Sequence, residues 1–292
     1  MTLTVVEFDY LRKLVREQSA IVLEPGKEYL IEARLASLAR QEGVGSLQDL
    51  VGRLRAERSG PLHARVVEAM TTNETLFFRD PQVWEALRTT VIPDLLERRR
   101  AERRLNVWSA ACSSGQEPYS LAMVLREHFP ATAGWNVRIL GTDLSTAMLA
   151  RARQGRFSQL EVNRGLPAAL LVKYFTKQGM HWDAKEDLRR SVEFRQLNLD
   201  TALPALPPMD LVLLRNVLIY FDIQTKKAIL SRVRRVLRPD GYLFLGAAEN
   251  LLNVDDTFDR VAMGRATCHR LRGASDQGTL PAPQGSSRKG VP

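Results

Sequence analysis

Apolar side chains in the first 70 residues recur at helical spacing. Leu30, Leu35 and Leu38 fall on one such face, and apolar positions spaced three or four apart are typical of an amphipathic helix. Pro and Gly residues interrupt the pattern at intervals, which marks the breaks between helices. The pattern predicts four short helices at residues 7–20, 26–41, 46–57 and 61–70. Residues 1–70 are therefore predicted to form a small all-α N-terminal domain.

Helical spacing continues over residues 81–104 and ends in the charge run Glu97–Arg104. Alternating charges of this kind are typical of a solvated helix face, and that is what we expect here. Residues 71–104 would then link the helical domain to the rest of the chain.

From residue 105 the pattern changes to short apolar runs with turn residues around them. The runs cover residues 105–112, 137–143, 192–199, 210–216 and 242–247. Helical stretches separate them at residues 117–129, 145–154 and 225–237. Alternation of strands and helices predicts an α/β fold, with a doubly wound parallel sheet covered by helices on both faces. Residues 258–271 are predicted to add a final strand pair.

Two stretches do not fit this alternation. Residues 155–191 are too long for an ordinary loop and carry apolar residues of their own, which predicts an inserted subdomain. Residues 273–292 are rich in Gly, Pro, Ser and Gln, which predicts a disordered tail.

Composition narrows the class of protein. No apolar run approaches the roughly 18 residues of a transmembrane helix, and the N-terminus lacks the pattern of a secretory signal. Cys112 and Cys268 are the only cysteines in the sequence, which argues against a disulfide scaffold and a cysteine-based zinc site. These features predict a cytoplasmic protein. The net charge of +9 fits either an anionic partner or simple solubility.

Polar residues follow four of the apolar runs, where parallel sheets bind ligands. The first run leads into Ser113–Ser120, which includes Gly115 and Glu117. Neither GxGxxG nor GK[ST] is present, which argues against nicotinamide dinucleotides and ATP. Glu117 would repel phosphate and suit a cationic ligand such as a sulfonium. Alternatively, Glu117 only stabilises a helix N-terminus.

The second run ends in Gly141–Ser145, with Asp143 lying 28 residues beyond Gly115. An acid at this place fits a carboxylate that accepts both ribose hydroxyls of a nucleoside, whereas the simpler interpretation is a helix N-cap. The third run ends in Gln196–Asp200 and the fourth in Arg215–Asp222. A further polar segment, Thr71–Asp80, precedes the α/β pattern and is interpreted either as one wall of an active site or as a capped helix start.

Four motifs, in this order, resemble the CheR-type chemotaxis receptor methyltransferases. They are TTNETLFFRD at residues 71–80, SSGQEPYSLA at 113–122, GTDLS at 141–145 and RNVLIYF at 215–221. The resemblance covers residues 8–271. It implies methyl esterification of receptor glutamate side chains, with S-adenosyl-L-methionine as cofactor and S-adenosyl-L-homocysteine as product. It also implies a class I methyltransferase domain over residues 105–272, with a small antiparallel insertion at 155–191.

The resemblance also assigns site residues. Arg79 and Tyr220 would lie nearest the reacting methyl group, and no metal is expected. The cofactor contacts that it implies are Asn73, Thr75, Arg79, Glu117, Asp143, Asn198, Leu199, Asn216 and Val217.

A carboxylate acceptor agrees with the residues available. A glutamate with a pKa of about 4.3 is ionised at neutral pH, so no general base is required, and all four histidines lie outside the motifs. A nucleic-acid methyltransferase is the alternative that the positive charge suggests. The Arg215–Tyr220 segment lacks the two prolines of the Asn-Pro-Pro-Tyr motif of such enzymes. A cofactor-binding signalling module without turnover is a third possibility.

The implied partner is a methyl-accepting receptor with an acidic helical methylation region, and no nucleic acid is expected. Receptor-tethered members of the family carry a glycine-rich loop in the insertion, whereas residues 176–182 hold a single glycine. We therefore predict no useful affinity for a free receptor-tail peptide. Docking is expected to rest on the basic face of the catalytic half and on the helical domain, with Arg34, Arg40, Arg53 and Arg55 as candidates.

Overall fold

Four helices open the chain in a computed structural model that describes residues 3–57 and 59–273. They are α1 Val5–Ser19, α2 Glu28–Gln41, α3 Leu47–Ala56 and α4 Pro61–Met70. The side chains of Thr4 and Ser46 cap α1 and α3 by accepting backbone N–H groups, and Pro61 suits the first position of α4. The predicted all-α N-terminal domain is confirmed. Beyond Gly273, the predicted tail lies outside the described residues.

The next segment departs from the prediction of one helix over residues 81–104. It consists of α5 Pro81–Ala86, a π-helical turn Leu87–Val91 and α6 Ile92–Arg98. The predicted solvated face is wrong for Arg99, which is 4% exposed. The Arg99 guanidinium binds the carboxylates of Asp210 and Asp240, at 2.5 and 2.6 Å. Burial of a charge is tolerated where opposite charges surround it, and here they come from distant strands.

Ten strands and six further helices follow among the described residues. The strands are β1 Arg104–Ala110, β2 Asn136–Asp143, β3 Arg156–Ser158, β4 Phe175–Gln178, β5 His181–Ala184, β6 Val192–Gln196, β7 Met209–Leu214, β8 Leu237–Leu245, β9 Phe258–Met263 and β10 Ala266–Leu271. The helices are α7 Gln116–His128, α8 Thr146–Gln154, α9 Gln159–Asn163, α10 Ala168–Tyr174, α11 Glu186–Arg190 and α12 Ile223–Val236, with 3₁₀ turns at Pro130–Gly134 and Leu218–Tyr220.

The main sheet has the order β6-β2-β1-β7-β8-β10-β9 within the described part of the chain. Strands β6, β2, β1, β7 and β8 are parallel, whereas β10 is antiparallel to both β8 and β9. The predicted doubly wound sheet and final strand pair are confirmed. Strand β8 begins five residues earlier than predicted because Leu237 already pairs with Met209.

The insertion forms a separate antiparallel sheet of order β3-β5-β4, as predicted. Only Gly179 and Met180 connect β4 to β5, and Gly179 has a left-handed φ of 58°, which suits a two-residue hairpin turn.

Two clusters of buried apolar side chains cover the two faces of the main sheet. One packs α5 to α8 and the insertion against one face. The other joins α1 to α4 and α12 to the opposite face, so the N-terminal helices share a core with the sheet. The domain boundaries at residues 70, 104 and 272 stay predictions. No helix within residues 3–57 and 59–273 is long and apolar enough to cross a membrane.

Candidate active site

A cavity lies at the carboxyl ends of the parallel strands, where the sheet order reverses between β1 and β7. Ligands bind at this switch point in doubly wound sheets. The structure brings every site residue expected from the sequence to this cavity. Its lining includes Asn73, Thr75, Arg79, Glu117, Asp143, Asn198, Leu199, Asn216, Val217 and Tyr220.

The loop after β1 is shaped by left-handed residues, among them Ser113 and Gly115 with φ of 51° and 91°. A Cβ at Gly115 would lie 3.1 Å from the Phe194 ring, so glycine fits both the dihedral angle and the space. This turn directs the Ser113 N–H to Asp143 Oδ2 at 2.7 Å, and the Ser145 N–H donates to Asp143 Oδ1 at 2.9 Å.

Asp143 is 7% exposed, and burial raises the pKa of its carboxyl although these two N–H groups oppose the shift. The Ser145 side chain caps α8 by accepting from Met148 N. Asp143 is therefore free of the capping role, and its carboxylate, which has about four acceptor sites, keeps capacity for a ligand.

Glu117 does not face the cavity as an unpaired carboxylate. It accepts from Ser109 Oγ at 2.8 Å and from Arg215 Nη1 at 2.7 Å. Arg215 also donates to Asp80 Oδ2 at 2.6 Å and to the Arg79 carbonyl at 2.9 Å. We call Asp80, Glu117 and Arg215 the charge cluster. Two carboxylates around one guanidinium leave one negative charge beside the cavity.

Arg215 lines the cavity but was not among the site residues expected from the sequence. Its side chain is 1% exposed, and it follows directly after β7, in which every residue is buried. A charged residue at the end of a wholly buried strand was a visible signal, because buried arginines require partners.

The linker segment forms a second wall. The Asn73 carbonyl accepts from Ser113 Oγ at 2.8 Å. Glu74 pairs with Arg164 of the insertion at 2.8 Å, which lowers the pKa of the Glu74 carboxyl. Arg34 donates to the Met70 carbonyl at 2.6 Å and to Thr72 Oγ1 at 3.1 Å. Arg34, which is one of the candidates for receptor docking, therefore also holds the linker.

The N-terminal helices complete the cavity. Ser19 and Ile21 belong to its lining, and the Val22 N–H donates to the Tyr220 carbonyl at 2.9 Å. Asn198 donates from Nδ2 to the Gln18 carbonyl at 2.9 Å, so part of its side-chain amide is engaged within the protein. Sequence patterns gave no signal for Ser19 and Ile21, since small and apolar residues occur throughout the chain.

The arrangement fits a nucleoside that carries a cationic group. Asp143 supplies acceptors at the place where a ribose is bound in such folds. The net negative charge of the cluster favours a cation and disfavours phosphate. These features agree with S-adenosylmethionine, whose sulfonium is cationic.

Comparison with known proteins gives the same answer. The model of the CheR methyltransferase, SAM binding domain matches residues 73–267, and that of the CheR methyltransferase, all-alpha domain matches residues 6–71. The chain is 43% identical to chemotaxis protein methyltransferase 1 of Pseudomonas aeruginosa, covering 91% of this chain and 98% of that protein.

Two further relatives also align with this chain over most of their length. Identity is 43% to chemotaxis protein methyltransferase Cher2 of Pseudomonas putida, over 88% of this chain and 94% of the relative. Identity is 35% to the chemotaxis protein methyltransferase of Vibrio parahaemolyticus, over 93% of this chain and 99% of the relative. Together with the two family models, they show that this chain is an S-adenosylmethionine-dependent methyltransferase and belongs to the CheR methyltransferase family.

Proposed function

We propose that this methyltransferase esterifies glutamate side chains of a chemotaxis-type receptor. The names of its relatives, which are chemotaxis protein methyltransferases, support the pathway. When bound, S-adenosylmethionine supplies an activated methyl group on a sulfonium centre. Asp143 would hold its ribose hydroxyls, and the charge cluster would match its positive charge.

The observation that carries the proposal is the difference in hydrogen bonding between the two arginines that line the cavity. Among the lining residues that the structure describes, Arg79 and Arg215 are the only lysine or arginine residues. Arg215 is bound by two carboxylates and a carbonyl. Arg79 has one long contact, 3.4 Å from Nη1 to the Glu74 carbonyl. The Arg79 guanidinium is therefore available to hold an acceptor carboxylate with two parallel hydrogen bonds.

Methyl transfer to a carboxylate needs no general base from the protein. A glutamate carboxylate is already ionised at neutral pH, since its pKa is about 4.3, and no histidine occurs among the described lining residues. Alignment of the acceptor can supply roughly 7–11 kcal/mol in favourable cases. Because a tight ion pair would weaken the nucleophile, we assign Arg79 to orientation of the acceptor. The Tyr220 side chain, in the same lining, can give a second hydrogen bond.

The stability of the product to base tests this proposal. A receptor fragment is incubated with the enzyme and methyl-labelled cofactor, and the labelled product is treated with mild base. A glutamyl methyl ester releases its label as volatile methanol, whereas methylated amines and amides keep it. An untreated aliquot of the same product is the control. Label that stays on the protein after base treatment would contradict the proposal.

A further inference from the structure

A second cavity, of about 280 Å³, lies at the same edge of the sheet. Its walls are the start of α5, the loop after β8 and the beginning of β10. The segments that supply them are Asp80–Val83, Leu245–Asn250 and Arg265–Thr267, together with Arg260 and His269.

The two cavities share a wall. Asp80 lines the second cavity and binds Arg215 of the first at 2.6 Å. Glu249 lines the second cavity, and its Oε2 accepts from the N–H of Asn216, which lines the first, at 2.8 Å. The first cavity, which is lined by Arg79, and the second cavity are therefore neighbours.

The acidic groups of the second cavity are already engaged. Asp80 belongs to the charge cluster. Glu249 accepts from the N–H groups of Asn216, Gly246 and Ile219, at 2.8, 2.6 and 3.3 Å. Asp80 is thus already paired with the Arg215 guanidinium, which leaves Glu249 as one negative charge beside the two positive charges of Arg260 and Arg265.

The donors of the second cavity are not engaged to the same extent. Arg260 and Arg265 are exposed. Arg260 makes one hydrogen bond, to Thr267 Oγ1 at 3.2 Å, and Arg265 has no hydrogen bond or ion pair with any residue of the described ranges. His269 is 5% exposed, and burial lowers the pKa of its imidazole to about 4, so at neutral pH the positive charges of the second cavity are those of Arg260 and Arg265.

We propose that the second cavity binds a second carboxylate of the same protein substrate, next to the glutamate that is methylated. The proposal rests on the proposed function, because it needs an acidic helical acceptor. Such a helix places side chains three or four residues apart on one face, and two turns span about 11 Å. Arg260 and Arg265 would bind the flanking carboxylate and set which glutamate reaches Arg79. Charge pairs at the rim of an interface contribute specificity of this kind.

Kinetics of paired variants test the site. The double variant Arg260→Gln/Arg265→Gln removes both charges, and Arg103→Gln/Arg104→Gln removes two exposed charges at the opposite edge of the sheet as the matched control. We expect the first to raise the KM for a receptor fragment about tenfold, from two exposed ion pairs. Its kcat and its affinity for S-adenosylhomocysteine should stay within about twofold of wild type, and the control should change none of these.

A mutant cycle identifies the partner carboxylate. Each acidic residue within two helical turns of the methylated glutamate is replaced singly by Gln in the receptor fragment. For the fragment that lacks the partner carboxylate, the Arg260→Gln/Arg265→Gln variant and the wild-type enzyme should have the same KM. Equal losses for every fragment, or a loss equal to that of the control, would overturn the proposal. So would a fivefold weaker affinity for S-adenosylhomocysteine, which would place the cavity in the cofactor site.

Failure of this proposal is distinguishable from failure of the proposed function. If the flanking site is wrong, wild-type enzyme still gives base-labile label and the KM of the variant is unchanged. If the label is base-stable, the proposed function fails, and the flanking-site proposal fails with it.

Discussion

Arg215 joins three segments of the site that are far apart in the chain. Its carboxylate partners, Glu117 and Asp80, lie 98 and 135 residues away. The sequence predicted polar ends for four of the strands, and all ten expected site residues do line the cavity. It could not predict that Glu117 is paired, because the partner of a charge depends on strand order. Without Arg215, the carboxylates of Asp80 and Glu117 would both lose a cationic partner, and removal of one member of a buried ion pair is destabilising.

Asp143 gives the most direct test at this scale. Asp143→Ala removes the proposed acceptor of the ribose hydroxyls, which costs roughly 1.5–3 kcal/mol for hydrogen bonds to a charged group. The dissociation constant of S-adenosylhomocysteine should therefore rise at least about tenfold, as measured by calorimetric titration. Asp256→Ala, at an exposed position, is the control for loss of an acid. Unchanged affinity in a folded Asp143→Ala protein would show that Asp143 is not the ribose ligand.

The structure of the linker segment at residues 71–80 could be predicted only in part from the sequence. Its two interpretations, an active-site wall and a capped helix start, were open from the sequence. The structure supports the wall, since Asp80 precedes α5 without a capping hydrogen bond from its side chain. Phe77 is fully buried, with its ring centroid 5.0 Å from that of Phe157 and 5.7 Å from that of Phe175. These partners belong to the insertion, and no periodicity along the chain indicates such a contact.

The contact between linker and insertion is tightest at Gly165. A Cβ there would lie 2.1 Å from the Phe77 carbonyl oxygen, and the φ of Gly165 is +91°. Gly179, in the same insertion, also has a positive φ, but a Cβ on it would meet no described atom within 4 Å.

Paired alanine substitutions separate the two effects. Gly179→Ala should lower the free energy of unfolding by about 1–2 kcal/mol, from the left-handed backbone alone. Gly165→Ala should lower it by about 3 kcal/mol or more, since the clash adds to that strain. Urea unfolding monitored by circular dichroism measures both. Equal losses would mean that linker and insertion are not in close contact at this point.

At the scale of the whole molecule, the helical domain and the catalytic sheet form one packed unit. Two of the four arginines predicted to dock a receptor are used internally. Arg34 holds the linker, and Arg55 donates to the Val6 carbonyl at 3.3 Å and lies over the Tyr10 ring. Arg40, Arg53 and Arg55 are exposed, and receptor docking by the four arginines stays a prediction. Charge counts along a sequence cannot distinguish these roles, because internal carbonyl partners are set by tertiary packing.

If the receptor docks through charged surfaces and not through its C-terminal tail, the rate of methylation should fall as the salt concentration rises. Methylation of a full-length receptor and of one that lacks its C-terminal tail should proceed at similar rates. Both rates should fall as salt rises, since the Debye length is about 10 Å at 0.1 M and shorter above it. Arg40→Gln/Arg53→Gln should weaken the salt dependence, whereas Arg103→Gln/Arg104→Gln should not. A large loss on truncation that salt does not affect would show that the insertion tethers the receptor.

The position of Ser19 and Ile21 in the cavity lining has a consequence for how such enzymes diverge. A helical domain that only recognised receptors could be exchanged between paralogues, and a chimera would acquire a new client while its catalytic constants stayed the same. Here the end of α1 touches the same cavity as Asp143, and the segment after it holds the backbone of Tyr220. If the helical domain docks the receptor, as predicted from the sequence, substitutions at the end of α1 that change the receptor would also change the lining of this cavity. Exchange of the domain between paralogues would then alter the affinity for the cofactor together with the choice of receptor.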